Sequence, residues 1–196
     1  MNFNKEFKPS GDNLNGFVRD YSNNKENSFI EIIPSSTVDG YPLTNIFNYS
    51  SMCEHWASDA GVDGLGAFLK IRIKRFGLVL SHFSIISHCD SDCSMISWVF
   101  EASSDGIHYD ALVNKTNSGD LDAGALKLYE VNPMNKKYKV FRVRQTSPTR
   151  KGFTNMRIAK IDIFGYITMG RNTCKCYSNN RVNILHFALV LLISNS

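Results

Sequence analysis

Apolar and polar residues alternate along much of the chain. Residues Phe68–Lys74 read FLKIRIK, with Leu69, Ile71 and Ile73 on one side and Lys70, Arg72 and Lys74 on the other. A period of two with charge on one face predicts a strand with one wet side. Lys139–Thr146 (KVFRVRQT) repeats the pattern, with Phe141 and Val143 inward and Arg142 and Arg144 outward. Phe29–Ile33, Leu78–Ser87, Met95–Ala102, Ile107–Val113, Leu126–Val131 and Met156–Ile163 complete the set. Asp105-Gly106 between two such patterns predicts a hairpin. One irregularity near Ala159 predicts a bulge, and Gly165 is expected to stop the last strand. A short helix around Leu43–Tyr49 is the one helical expectation before residue 184, since no longer run there carries a 3.6-residue period.

About eight short strands without intervening helices exclude a βαβ architecture and predict an all-β antiparallel sandwich or jelly roll. Residues 1–28 are polar and aperiodic, and read as an extension with little structure of its own. The sandwich is expected over 29–167, and 168–196 form a tail. Within that tail Ile184–Ile193 (ILHFALVLLI) is ten residues long, and a membrane-crossing helix needs about 20. A docked helix, a strand and a short membrane-surface contact all remain open for it.

With 43% apolar and 20% charged residues among 196, the chain can bury a core. Its net charge of +4 is too small to announce a nucleic-acid partner, but the charge is unevenly spread. Cys89–Asp122 holds seven acidic residues and one basic; Lys136–Lys160 holds nine basic residues and no acidic one. The fold decides whether these stretches neutralise each other or form a positive face. The basic stretch lacks the aromatic platform of a single-strand binder. Five cysteines and no visible signal peptide give a cytoplasmic, reducing compartment as the expectation.

The run Ser97-Trp98-Val99-Phe100-Glu101-Ala102-Ser103-Ser104-Asp105-Gly106-Ile107-His108-Tyr109 resembles the SWVxEGSxDGxxW segment of discoidin domains. These are also called coagulation factor five/eight type C domains and belong to the galactose-binding-like sandwiches. Phe141–Thr146 is similar to that family's FRxRQTG, and Ile161–Gly165 to its closing IEFFG strand. His55-Trp56-Ala57-Ser58-Asp59, followed by Phe68–Ile71, is similar to its opening segment. The flavour is that of the protist form often joined to a BTB domain, which Leu14–Val18 echoes. The family's extracellular members carry a cysteine at each end of the domain; Pro34 and Gly165–Tyr166 stand there in this chain.

The resemblance implies a discoidin-like jelly roll with the loops Cys53–Asp59 and His88–Ser94 at one end, where family members with a known role bind ligand. Candidate ligand-binding residues are His55, Trp56, Asp59, His88, Asp90 and Arg150. Trp56 has two readings, a ring for sugar stacking or a loop aromatic folded back as a plug. Trp98 reads as core and needs a buried partner for its indole N–H. The acidic HCDSDCS loop disfavours an anionic membrane. His88-Cys89-x3-Cys93, with Asp90 and Asp92, has two readings, a metal site or a solvated loop with reduced cysteines. Structural zinc more often takes CxxC-type spacings contributed twice, and only Cys174-x-Cys176 could supply the second half, so no cofactor is expected. The resemblance also allows a structural calcium that the sequence does not locate.

No nucleophile elbow, Walker loop or HExxH motif is present, so no enzymatic activity is expected. Two functions follow. One is a non-catalytic module recognising a carbohydrate or other small polar ligand; the other is an intracellular protein-interaction or scaffold domain related to BTB-linked proteins.

Overall fold

The computed structural model describes residues 4–22, 29–60, 64–132 and 135–168. The apolar tail segment, Cys174 and Cys176 lie outside the described residues. In chain order the elements are β1 (Asn4–Phe7), α1 (Phe17–Ser22), β2 (Ile30–Pro34), β3 (Trp56–Ala57), β4 (Phe68–Ile73), β5 (Leu78–Ser87), β6 (Trp98–Ser103), β7 (Asp110–Lys115), β8 (Leu126–Glu130), β9 (Val140–Gln145) and β10 (Arg157–Thr168). A 3-10 turn at Leu43–Phe47 occupies the expected helical position.

All pairings are antiparallel. One sheet runs β1–β10–β5–β8 with β3 also on β10; the other runs β2–β4–β9–β6–β7. Between them lie the alternating apolar positions, including Leu69, Ile71, Ile73, Trp98, Phe100, Phe141 and Val143 from one sheet and Phe83, Ile85, Ile161 and Ile163 from the other. The Phe83 ring stacks on Phe100 at 3.8 Å across this interior and on Tyr129, its neighbour on β8, at 4.9 Å. Each such side chain contributes about 1.5–3 kcal/mol by leaving water. Trp98 is fully buried as expected, but its Nε1 has no hydrogen-bond partner among the described residues.

Three boundaries differ from the sequence reading. Gly165 does not end β10. It sits at φ +151°, where the register shifts, and a Cβ there would lie 2.0 Å from the Val79 carbonyl oxygen. The glycine lets two backbones approach, and the strand continues to Thr168. The hairpin after β6 is longer than its Asp-Gly pair implies. The Asp105 carboxylate accepts the N–H groups of Ile107 and His108, so these donors are lost to the ladder and β7 starts at Asp110. Finally, the N-terminal segment is part of the fold. β1 pairs with β10, and Leu14, Phe17 and Val18 are buried.

That segment and the 45–54 loop cover the outer face of the β10 sheet. Two charged side chains on β10 are thereby enclosed. Asp162 accepts hydrogen bonds from the main-chain N–H groups of Gly16 (2.8 Å), Val18 (2.7 Å) and Ile163 (2.9 Å). Burial pushes its carboxyl up to about 6, against the pull of these three donors. Lys160 donates to three main-chain carbonyls, those of Asn45, Glu54 and Ala159, each at 3.0 Å. This niche of carbonyl oxygens holds the protein's own ammonium as its cation.

The acidic and basic stretches neutralise each other. Lys136 pairs with Asp110, Arg142 and Arg144 with Glu101, Arg150 with Asp122, and Lys151 with Asp92. The Arg142 guanidinium also stacks on Tyr109 at 3.9 Å, which fastens β9 to the hairpin loop.

Candidate functional site

One end of the sandwich is formed by Tyr41, the 53–55 stretch, the 88–94 loop and the 149–153 loop. The 88–94 loop leaves β5 as a 3-10 turn at Ser91–Cys93, because Asp90 caps it: its carboxylate accepts the Asp92 N–H at 3.0 Å. Lys151 reaches Asp92 at 2.6 Å and joins the 149–153 loop to this turn. On the other side, Asn45 donates from Nδ2 to the His55 carbonyl at 2.9 Å, and Lys160 holds the flanking Asn45 and Glu54 carbonyls.

Three rings meet there in sequence. Tyr41 packs on His55 with centroids 4.7 Å apart, and His55 meets His88 edge-on at 4.2 Å. Tyr41 is 41% exposed, whereas His55 is buried. His55 Nδ1 lies 3.2 Å from the Cys53 carbonyl, so it carries the proton and Nε2 keeps its lone pair, buried and without a partner among the described residues. His88 Nδ1 accepts from the Asp90 N–H at 3.0 Å, which leaves the proton on Nε2. Burial lowers both imidazoles, His55 to about 4, and the nearby Arg157 guanidinium lowers them further. Both are neutral at neutral pH. The cluster therefore presents an aromatic face, neutral nitrogen donors and acceptors, and the exposed, ionised carboxylate of Asp90, held below the usual range by its bond to the Asp92 N–H.

Of the residues singled out in the sequence, His55, His88 and Asp90 are brought together. Trp56 takes the structural reading. It is fully buried on β3, pairs with Ile158, and donates its indole N–H to the Ser36 carbonyl and the Thr37 hydroxyl, so it has no face for a ligand. Asp59 is half-buried, with its main-chain N–H on the Ser36 hydroxyl. Arg150 is committed to Asp122.

The exposed aromatics of this end are Tyr41 and Phe153, neither singled out from the sequence. Tyr41 stands between Gly40 and Pro42, a loop aromatic by the criterion that picked Trp56. Arg157 packs over Phe153 with its Nε buried and unpartnered among the described residues. Away from this end, Glu31, Arg72, Lys74, Asp105 and Lys139 line an open depression of about 420 Å³ at the hairpin end. No described helix is long and apolar enough to cross a membrane.

No family model and no curated protein matches the chain. Solved structures do. The chain is similar to CpGH89CBM32-5 from Clostridium perfringens, solved in complex with GalNAc-β-1,3-galactose, with a TM-score of 0.57 and 12% identity over 70% of this chain and 96% of that one. It is similar to the family 32 carbohydrate-binding module of C. perfringens NanJ, in complex with galactose, with a TM-score of 0.56 and 12% identity over 70% and 94%. It is also similar to the CBM32 of AlyQ, in complex with 4,5-unsaturated mannuronic acid, with a TM-score of 0.54 and 16% identity over 68% and 93%. At such identities the likeness speaks for architecture. The chain has the antiparallel sandwich of the CBM32 and discoidin-like type.

Proposed function

We propose that the chain is a non-catalytic carbohydrate-recognition module whose ligand seats at the Tyr41–His88 end. The observation that carries this reading is the exposed Tyr41 ring packed on neutral His55, which in turn meets neutral His88 next to Asp90, at a loop-bearing end of this sandwich. A pyranose offers an apolar C–H face and a rim of hydroxyls. Tyr41 takes the first; His88 and Asp90 take the second. His55 acts through them by fixing both rings. The sugars bound by the similar modules add support, because they sit on the same architecture.

The test is titration calorimetry with galactose, GalNAc-β-1,3-galactose and an unsaturated mannuronate. Binding of one class, lost by at least about tenfold in Tyr41→Ala and His88→Ala (~1.4 kcal/mol), supports the reading. Absence of binding to a broad panel of neutral and acidic glycans refutes it, as does unchanged affinity in both variants. The scaffold reading rests on the sequence resemblance to the BTB-linked form alone, and no described feature selects a protein partner.

A further inference from the structure

We infer that the turn following β5 is a zinc-binding site, with His88, Asp90 and Cys93 as three protein ligands and a fourth position open to water or a small donor. One ligand atom from each residue lies within 4.8 Å of the other two. The Cys93 thiol donates to Asp90 Oδ2 at 3.6 Å. With a Zn–S bond of about 2.3 Å and a Zn–O bond of about 2.1 Å, a tetrahedral edge is about 3.6 Å. The sulfur and the carboxylate oxygen already stand at that spacing. His88 ligates through Nδ1, which exchanges the hydrogen bond it accepts from the Asp90 N–H at 3.0 Å for the metal, while Nε2 keeps its proton. His55, packed against the His88 ring, limits its rotation.

The spacing His88-x-Asp90-x2-Cys93 places all three between the end of β5 and the capped turn, so no distant segment has to move. An imidazole, a carboxylate and a thiolate form the mixed nitrogen, oxygen and sulfur set that suits zinc and is too soft for magnesium or calcium. Loading exchanges the Cys93 thiol proton for the metal: one Zn²⁺ enters, one S–Zn bond forms, and one proton leaves to solvent. Thiolate and carboxylate then cancel the ion's two charges, so Lys151 and Arg157, which face the same turn, meet a neutral centre. The inference stands whether or not this end takes a sugar.

The test uses Co²⁺ as a spectroscopic stand-in for zinc on the reduced full chain, with no sugar present. One Co²⁺ per chain is expected, with a thiolate-to-cobalt charge-transfer band that zinc bleaches. Cys93→Ser loses the band, and Asp90→Asn, an exposed change that leaves folding intact, weakens binding by at least about tenfold. The double variant Cys174→Ser/Cys176→Ser retains both. The inference is overturned if no stoichiometric binding occurs, if the band survives Cys93→Ser, if Asp90→Asn binds as well as the parent, or if the tail variant abolishes binding.

Discussion

Replacing Lys160 with methionine tests whether the buried ammonium holds the Tyr41–His88 end in place. Methionine keeps most of the apolar stem and removes the three donors. The Asn45 carbonyl retains the Asn48 N–H as a second partner at 3.2 Å, so the loss falls on the Glu54 and Ala159 carbonyls. A buried acceptor stripped of its donor costs about 1–3 kcal/mol, which gives about 2–6 kcal/mol for the pair. Against this, the variant no longer buries a charge, a penalty of several kcal/mol in an uncompensated site. Three carbonyl dipoles compensate the charge here, so the net expectation is a loss of about 2–4 kcal/mol.

For a chain of this size that lowers the melting temperature by about 5–15 °C. Urea unfolding followed by tryptophan fluorescence reads the loss directly, since Trp56 and Trp98 are both fully buried. Hydrogen exchange adds location: residues 45–55 should lose protection before β4, β6 and β9. If Lys160→Met is as stable as the parent, or more so, the ammonium is a net burden and the argument for the niche fails. Uniform loss of protection across both sheets would equally remove its role as a local clamp.

Three further outcomes are expected. Burial holds His55 at about 4, so below its ordinary value of about 6.5 the unfolded chain takes up a proton that the folded chain refuses. Stability therefore falls as pH drops through that window, and relative to His55→Gln the parent should lose about 3 kcal/mol by about pH 4 in urea titrations; parallel losses would refute it. Gly165→Ala drives a methyl into the Val79 carbonyl and should cost about 2–4 kcal/mol in thermal unfolding, an unchanged melt disproving the close approach. Asp162→Ala leaves the buried N–H groups of Gly16, Val18 and Ile163 without their acceptor; a loss of about 3–5 kcal/mol and faster proteolysis before Phe29 are expected, and an N-terminal segment cleaved no faster would contradict its role.

What the sequence reveals here is what period two encodes. Leu69, Ile71 and Ile73 face the interior and Arg72 faces solvent because alternation fixes sides, and the bulge at Ala159 is legible because it breaks that alternation. Coverage of the outer face is not encoded that way. Leu14, Phe17 and Val18 sit in a polar, aperiodic stretch, and their burial depends on β10 offering Asp162 as an acceptor some 145 residues away. The Tyr41–His88 end is half legible. His55, His88 and Asp90 are polar residues on loops that the family resemblance places together, and the structure brings them side by side. Trp56 reads in the sequence as a ligand candidate or a plug, and it is the plug for a physical reason. Its N–H finds two acceptors in the 36–37 stretch, so burial costs it nothing in hydrogen bonds, while Tyr41, wedged before Pro42, stays outside.

β10 connects these observations. Its bulge between Ile158 and Lys160 changes the phase of the strand, so that Ile158, Ile161 and Ile163 all point inward although the first two are three residues apart. The same shift sends Lys160 and Asp162 to the opposite face. Lys160 there pins the loop that carries His55, and Asp162 pins the segment that closes the sheet. At the start of the strand Arg157 lies beside His55, His88 and Cys93. A slip of one residue would place an ammonium in the apolar interior and an isoleucine in the carbonyl niche, so register is strongly specified. The strand that completes the core thus also sets the position of the loops. Substitutions in β10 should therefore alter the geometry of the Tyr41–His88 end, and with it the recognition proposed there, even where they touch none of its rings.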